Sequence, residues 1–87
     1  MYYVYVIKSD KGNIYVGFTG DIDKRVKQHN NNVSKSTANQ KWILAYFEAY
    51  SNKEDAVKRE KRLKSHGNSK RFLYQRISNS LQISEFN

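Results

Sequence analysis

YVYVIKSDKGNIYVGFT, residues 3–19, places aromatic and β-branched residues in two short runs on either side of a polar turn. Such runs predict two β-strands, at about residues 2–8 and 13–18, joined as a hairpin. The intervening SDKG is typical of a hairpin turn, because Gly12 can adopt the positive φ that tight turns need.

The hairpin carries tyrosines where a simple core strand would carry valine or isoleucine. A register that pairs Ile7 with Asn13 places Tyr5 opposite Tyr15 on one face, with their Cβ atoms ~5 Å apart. Two phenol groups side by side on one face indicate chemistry as well as packing.

A helix is predicted directly after the hairpin, in DIDKRVKQHNNN. Asp21 is suited to cap its first turn, and the asparagine run ends it. Ile22, Val26 and His29 recur at helical spacing, so His29 falls on the inward face and Arg25 lies at the edge of that face.

The middle of the chain predicts a polar loop at 33–41 and a third strand at 42–50, WILAYFEAY. Ser51 and Glu54 then match a capping box, with Ser51 as the cap. The box opens a second helix, which we expect to end at Gly67.

A third helix is expected at 70–77, capped by Asn68 or Ser69. The element order is therefore β-β-α-β-α-α, an α+β fold with a small, mostly antiparallel three-stranded sheet and flanking helices. We expect one domain at 1–78, followed by a flexible C-terminal tail at 79–87.

Composition limits the kind of protein. The 87 residues, 38% of them hydrophobic, suffice for one small core. The absence of cysteine excludes disulfides, thiolate catalysis and cysteine-ligated zinc. The N-terminus lacks the basic region and the long apolar run of a signal peptide or membrane span, so we expect a soluble, cytoplasmic protein.

The charge balance favours a polyanionic partner, nucleic acid above all. Sixteen Lys and Arg against eight Asp and Glu give a formal net charge of +8. Nine of the sixteen bases fall between residues 53 and 76. The candidates for contact with phosphates are Lys58, Arg59, Lys61, Arg62, Lys64, Lys70 and Arg71.

Glu60 departs from the pattern of its helix. At ~100° per residue it falls within the apolar stripe that Ala56 and Leu63 define, while basic residues occupy the other faces. A carboxylate directed at the sheet needs a partner or a metal ion. An ion pair with Lys64, four residues on, is the ordinary structural alternative.

Five polar side chains are expected to point toward one place: Tyr5, Tyr15, Arg25, His29 and Glu60. Hydrolysis of a phosphodiester needs a base for water, a cation on the non-bridging oxygens and a divalent ion held by oxygen ligands. This set contains a candidate for each role.

These residues occur in motifs that resemble the GIY-YIG nuclease family, which includes modules of homing endonucleases and of the excision-repair nuclease subunit, and most of all its small single-domain members. The first motif reads Tyr3-Val4-Tyr5, without the family's leading glycine, and the second reads Tyr15-Val16-Gly17. Segment 17–30 resembles the one bearing the family's arginine and histidine, and 56–64 resembles the helix with its metal-binding glutamate. The resemblance covers about residues 1–77.

The resemblance implies roles for the five residues. Glu60 would hold one Mg²⁺ or Mn²⁺, and Arg25 would clamp the scissile phosphate with its planar fork. Tyr5 would be the general base, with Tyr15 positioning water or phosphate and His29 bonding to Tyr5 or relaying its proton. Ionising a tyrosine of pKa near 10 costs roughly 4 kcal/mol at pH 7, so His29 stays open as the base.

The function expected from this resemblance is a divalent-metal-dependent endonuclease that hydrolyses phosphodiester bonds in DNA with weak sequence selectivity. Its substrate would be branched, single-stranded or damaged DNA, with RNA left open. We expect a monomer without a membrane or an obligate protein partner. The alternative is a non-catalytic nucleic-acid-binding module that keeps the nuclease scaffold.

Two positions carry open alternatives. Gly17 either permits a close approach of the backbone or is a simple turn glycine. The family's late asparagine or glutamine corresponds to Asn68 or to Gln75.

Overall fold

The fold is an antiparallel sheet with helices on both faces, seen in a computed structural model that describes residues 1–31, 37–65 and 67–82. The strand order in the sheet is β2-β1-β3. The strands are β1 (Tyr2–Ser9), β2 (Ile14–Thr19) and β3 (Trp42–Tyr50), and the helices are α1 (Ile22–Asn30), α2 (Lys53–Ser65) and α3 (Gly67–Arg76). The predicted α+β class and the element order are confirmed.

The predicted register of the hairpin is wrong by two residues. Tyr5 pairs with Gly17, and Tyr15 pairs with Ile7 rather than with Tyr5. Because an even shift leaves side chains on the same face, Tyr5 and Tyr15 still share one side of the sheet.

The turn of the hairpin explains this shift. The Ser9 amide donates to the Asn13 carbonyl at 2.9 Å, and the Gly12 amide donates back to the Ser9 carbonyl at 3.0 Å. Gly12 adopts a φ of 82°, as predicted. A three-residue loop therefore connects the strands, and the ladder begins closer to the turn than expected.

Alternation along the strands produces two apolar clusters. The side that packs against α2 and α3 holds the buried residues Val4, Val6, Val16, Ala56, Leu63, Leu73 and Ile77. The side that packs against α1 holds Tyr5, Ile7 and Trp42, with Tyr15, Val26 and Leu44 partly buried beside them. We call the second side the α1 face; it carries Tyr5 and Tyr15 of the two tyrosine motifs and hence the candidate site.

The helix starts confirm one predicted cap and correct another. The Asp21 carboxylate accepts the Lys24 amide at 3.1 Å and caps α1, as expected. At α2, Asn52 takes the place predicted for Ser51, because its side-chain oxygen accepts the Glu54 amide at 2.8 Å. Asparagine caps as well as serine does, so the helix begins one residue later than predicted.

The third helix also starts earlier than predicted. Gly67 opens α3 rather than only ending α2, and Asn68 and Ser69 lie inside the helix rather than capping it. α2 ends at Ser65, and residue 66 lies outside the described residues.

The predicted loop and tail are only partly described. Residues 33–36 of the loop lie outside the described residues, and Thr37 is fully buried although its segment was expected to be a polar loop. Within the tail, Ser80–Gln82 forms a 3-10 turn, and the Lys8 ammonium donates to the Leu81 carbonyl. The domain boundary at residue 78 stays a prediction, and 83–87 fall outside the description.

Candidate active site

A buried hydrogen-bonded chain connects β1 to α1. The Tyr5 hydroxyl lies 2.8 Å from Nε2 of His29, and Nδ1 of the same ring lies 2.8 Å from the Thr37 hydroxyl. All three residues are essentially buried. The Trp42 indole donates to the Thr37 carbonyl at 2.8 Å and so fixes Thr37 in turn. The imidazole is therefore held at both nitrogens.

Gly17 lies directly beneath the Tyr5 ring. A Cβ at position 17 would come within 2.3 Å of the Tyr5 hydroxyl oxygen and within 2.4 Å of its ring carbon Cζ. Real Cβ atoms do not approach other atoms so closely, and a glycine is therefore required at this place. Of the two alternatives for Gly17, the close approach is the one observed.

Burial changes the role expected for Tyr5. Its side chain is only 1% exposed, and its hydroxyl is already bonded to His29. Burial raises the pKa of Tyr5 to about 12, despite the opposing effect of Arg25. Ionising it at pH 7 would cost about 7 kcal/mol, more than an ordinary tyrosine requires. These findings argue against Tyr5 as the group that contacts the attacking water.

His29 is also held neutral and away from solvent. Burial, with the charge of Arg25 as the second cause, lowers the pKa of His29 to about 4. Because burial raises the pKa of Tyr5 and lowers the pKa of His29, transfer of a proton from Tyr5 to His29 is unfavourable. The pair therefore acts as a fixed hydrogen bond rather than as a proton relay in the free protein.

Tyr15 is the tyrosine nearer to solvent. It is partly exposed, and its ring centroid lies 5.0 Å from that of His29 and 6.4 Å from that of Tyr5. The Lys64 ammonium lies 5.1 Å from the Tyr15 ring centroid, in cation–π range. The expected juxtaposition of the two tyrosines with the histidine is thus observed.

Arg25 lies at the edge of the same group. Its guanidinium donates to the Gln28 side-chain oxygen at 3.0 Å, and it is partly buried on α1. Its influence on the pKa values of both Tyr5 and His29 places its charge beside the buried chain.

Glu60 lies on α2, which packs on the face of the sheet opposite to α1. Its side chain is 22% exposed, and its carboxylate forms an ion pair with Lys64 at 3.3 Å. The ordinary structural alternative, an i,i+4 pair, is therefore present. The charge of Glu60 nevertheless contributes to the raised pKa of Tyr5, so the carboxylate lies within electrostatic reach of the tyrosine.

The donor set around Glu60 limits what ion it could hold. In the described ranges no group of three or more His, Cys, Asp or Glu could form a metal cage. Mg²⁺ and Mn²⁺ do not need such a cage, because they keep several waters and bind through one or two carboxylates plus phosphate oxygens. A single accessible carboxylate fits that mode of binding.

The predicted phosphate-binding residues separate into two groups. Lys58, Lys61 and Arg62 line an open surface groove of about 390 Å³ on α2. Arg59, which also borders the groove, donates through Nε and Nη2 to the Glu48 carboxylate at 2.9 and 3.0 Å and is not free for phosphate.

The other residues predicted to contact phosphates lie at the end of α2 and on α3. Lys64 is shared between Glu60 and the Tyr15 ring. Lys70 is partly buried on α3, and Arg71 lies 5.3 Å from the Phe72 ring. Asn68 and Gln75, the two alternatives for the late family residue, are exposed on α3, and the choice between them stays open.

The sequence reasoning missed two residues of the surrounding network. Thr37 orients His29, but its segment reads as an ordinary polar loop, and no local pattern marks it. Glu48 accepts hydrogen bonds from the Tyr46 hydroxyl at 2.7 Å and from the Tyr50 hydroxyl. The alternation of Tyr46, Glu48 and Tyr50 on one face of β3 was the signal that could have identified it.

Sequence comparisons find small proteins that are similar to this chain over most of its length. The chain is 35% identical to a UPF0213 protein of Staphylococcus saprophyticus over 72 residues, which cover 80% of this chain and 88% of that protein. It is 40% identical to a UPF0213 protein of Clostridium perfringens over 62 residues, covering 69% and 67% of the two chains. These names carry no statement of activity.

A structural comparison gives the same relatives. The solution NMR structure of a UPF0213 protein from Bacillus halodurans superposes with a TM-score of 0.52 at 26% identity, covering 86% of this chain and 85% of that chain. None of the helices in the described parts of the chain is long and apolar enough to cross a membrane.

The family model described as the GIY-YIG catalytic domain matches residues 1–77 of this chain. That range includes both tyrosine motifs, the arginine and histidine of α1 and the glutamate of α2. The resemblance deduced from the motifs is confirmed, and the chain belongs to the GIY-YIG domain family.

Proposed function

We propose that this protein is a divalent-metal-dependent endonuclease that hydrolyses phosphodiester bonds in DNA with weak sequence selectivity. The observation that carries the proposal is the grouping of Tyr5, Tyr15, Arg25 and His29 on the α1 face with the Glu60 carboxylate within electrostatic reach. A domain that only bound phosphates would gain nothing from an acid at this place.

Arg25 is the residue that binds the scissile phosphate in this proposal. Its guanidinium is always charged and presents several donors in one plane, which suits two phosphate oxygens at once. The same charge offsets the negative charge that develops when water attacks phosphorus. The partial burial of Arg25 strengthens this interaction, because less water screens it.

Tyr15 is the residue that contacts the attacking water. It is the more exposed of the two motif tyrosines, and the Lys64 ammonium lies over its ring. The Tyr15 hydroxyl can both donate and accept hydrogen bonds, so it can orient a water molecule toward the phosphate. Tyr5, His29 and Thr37 form the buried support that fixes the Tyr15 side of the pocket.

Glu60 is the residue that would hold one Mg²⁺ or Mn²⁺, with waters and a substrate phosphate completing the coordination. When bound there, the ion would supply charge stabilisation at the non-bridging oxygens. An ion held there would compete with the Lys64 ammonium for the Glu60 carboxylate. Lys64 would then remain beside Tyr15 as a cation available to the substrate phosphate.

The basic groove formed by Lys58, Lys61 and Arg62 is proposed to follow the DNA backbone. Contacts with phosphates position the nucleic acid but do not read its sequence, which accounts for the weak selectivity. We expect the domain to act as a monomer in the cytoplasm, within residues 1–78.

The alternative, a binding module without turnover, is favoured by the Glu60–Lys64 pair, which is what an ordinary helix surface would show. The two functions differ in what they require of Glu60. A nuclease needs the carboxylate for cleavage, whereas a binding module does not need it at all.

The test compares Glu60→Ala with Glu54→Ala, an exposed acid at the start of the same helix, on plasmid, single-stranded, flap and four-way DNA with Mg²⁺ or Mn²⁺. We expect cleavage by Glu60→Ala to fall at least about 100-fold, since a bound ion contributes several kcal/mol to transition-state stabilisation. Its DNA binding should persist or tighten, and Glu54→Ala should behave as wild type. Cleavage by Glu60→Ala at the wild-type rate would refute the assignment.

A further inference from the structure

An open hollow lies between the sheet and the start of α1, on the α1 face. Its volume is about 340 Å³, and its apolar wall is formed by Tyr3, Ile22, Leu44 and Phe47. Asp21 and Asp23 lie at its rim. We call it the aromatic hollow, and none of the roles assigned above uses it.

The aromatic hollow is next to the candidate site. Phe47 is the direct cross-strand partner of Tyr5, and Tyr3 precedes Tyr5 by two residues on the same face. On the helix side, Arg25 follows Asp21 by one turn, and its amide donates to the Asp21 carbonyl at 3.1 Å. A group bound in the hollow would therefore be a close neighbour of a phosphate bound at Arg25.

The wall of the hollow has the chemistry of a stacking surface. Phe47 is 50% exposed, although it lies in the middle of a strand beside the candidate site. Its ring packs edge-on against Tyr3, with ring centroids 5.8 Å apart and planes at 72°. Exposed aromatic rings on a nucleic-acid-binding surface stack with bases of any sequence, because every base has a π-face.

The rim indicates which part of a nucleotide would enter. Carboxylates repel phosphate, so Asp21 and Asp23 disfavour the backbone at this position. They accept hydrogen bonds from N–H groups, and nucleobases carry such groups on their edges. The protein as a whole is strongly positive, so the two carboxylates distinguish the hollow from the rest of the surface.

We propose that the aromatic hollow holds an unpaired nucleobase of the strand being cut, stacked on Phe47 with Tyr3 beside it, next to the phosphate bound at Arg25. The inference rests on the proposed nuclease function and narrows its substrate class to DNA with an unpaired nucleotide at the cleavage position. In an intact duplex the bases are stacked and paired with one another, so their faces and Watson–Crick edges are not available.

The experiment measures binding without cleavage, in EDTA, with a short single-stranded DNA that carries one 2-aminopurine. Stacking on an aromatic ring quenches the fluorescence of this base. Phe47→Ala should abolish the quenching and weaken binding roughly 5- to 150-fold, the range for loss of one stacked base. Phe72→Ala is the matched control, because Phe72 is 59% exposed on α3, and it should retain both quenching and affinity.

Two further variants keep the outcome interpretable. Phe47→Trp retains a ring and should retain quenching, while Phe47→Leu keeps apolar bulk without a π-face and should lose it. A matched duplex should bind wild type and Phe47→Ala equally. The proposal is overturned if Phe47→Ala leaves the quenching unchanged, or if it changes only the oligomeric state in sedimentation, which would make the hollow an interface between copies.

The binding measurement also separates this inference from the proposed function. Quenching that depends on Phe47 in a protein that never cleaves DNA would support the base site and refute the nuclease. If cleavage depends on Glu60 but binding does not depend on Phe47, the nuclease function is supported and the base site is refuted.

Discussion

At the scale of single residues, the pairing of Tyr5 with Gly17 explains why the second motif carries a glycine. The tyrosine ring occupies the volume that a Cβ at position 17 would need. The hydroxyl of the same tyrosine bonds to His29, so a shift of the ring would be transmitted to α1. The glycine thus determines the position of a polar group on another element.

Gly17→Ala should destabilise the protein by roughly 1–3 kcal/mol, the usual cost of overpacking a well-packed site. Urea unfolding followed by circular dichroism measures the change. The matched control is Gly20→Ala, because a Cβ at position 20 would meet nothing within 4 Å, and its effect should stay within about 0.5 kcal/mol. Equal effects of the two substitutions would contradict the role assigned to Gly17.

The buried His29 should make folding stability depend on pH. Its pKa is lowered to about 4 in the folded protein and is near 6.5 when unfolded, so the unfolded chain binds the proton more readily. The stabilisation is therefore fully present above pH 6.5 and is lost as the pH falls toward 4. Between pH 7 and pH 5 the loss should be about 2 kcal/mol, measured by urea unfolding at each pH.

His29→Gln is the control for this pH dependence, because it removes the titrating group at the same position. Its stability should be lower at pH 7 and nearly flat between pH 7 and pH 5. A wild-type slope that persists in His29→Gln would show that another group is responsible. Glu48 does not account for a slope in this range. Its pKa lies below its usual value, so the folding stability that its ionised form provides is lost only at more acid pH.

At the scale of elements, a polar network joins β3 to α2. Burial would raise the pKa of Glu48, but hydrogen bonds from Arg59, Tyr50 and Tyr46 outweigh it and hold the pKa below its usual value. The side chains of Glu48 and Arg59 are only 15% and 28% exposed. Since Arg59 directly precedes Glu60, this network helps to set where α2 presents the Glu60 carboxylate.

The Glu48–Arg59 pair should contribute a coupling free energy of roughly 1–3 kcal/mol, more than a solvent-exposed pair, because it is bidentate and partly buried. A double-mutant cycle with Glu48→Gln and Arg59→Gln measures it in urea unfolding. The matched cycle on Glu60 and Lys64, a monodentate i,i+4 pair, should give at most about 0.5 kcal/mol. Similar coupling in both cycles would contradict the importance of the network.

The elements themselves were largely predictable, because each depends on local sequence. The strands follow from alternating aromatic and β-branched residues. Asp21 caps α1, as is expected of a short polar side chain directly before a helix. The hairpin register was not predictable, because it depends on whether the turn closes at Ser9 and Asn13 and on the space beneath Tyr5.

The sequence predicted which residues belong to the candidate site better than it predicted how deeply each of them is buried. Helical and strand periodicity indicate which residues share a face, and they placed His29 and Tyr5 together. Burial depends on what packs over a residue from elsewhere in the chain. Thr37, eight residues after His29, bonds to the imidazole from the segment that follows α1, and Tyr5 is almost fully buried, which argues against the role first expected of it.

At the scale of the whole molecule, the count of sixteen Lys and Arg overstates the number of cations available to DNA. Arg59 is committed to Glu48, and Lys64 is paired with Glu60. Lys58, Lys61 and Arg62 remain exposed around one groove on α2. The long-range attraction therefore comes from the whole surface, whereas direct contact with phosphates is expected from a few residues of α2.

This difference predicts how salt affects DNA binding. The logarithm of the binding constant should fall linearly with the logarithm of the salt concentration, because each phosphate contact releases a counterion. Lys61→Gln should reduce the slope by about 0.7 on single-stranded DNA or about 0.9 on duplex, the value for one contact. Lys11→Gln removes the same charge from the exposed hairpin turn and should leave the slope unchanged. Fluorescence anisotropy titrations in EDTA at several salt concentrations measure both slopes, and equal reductions in the two variants would mean that binding follows net charge rather than the groove on α2.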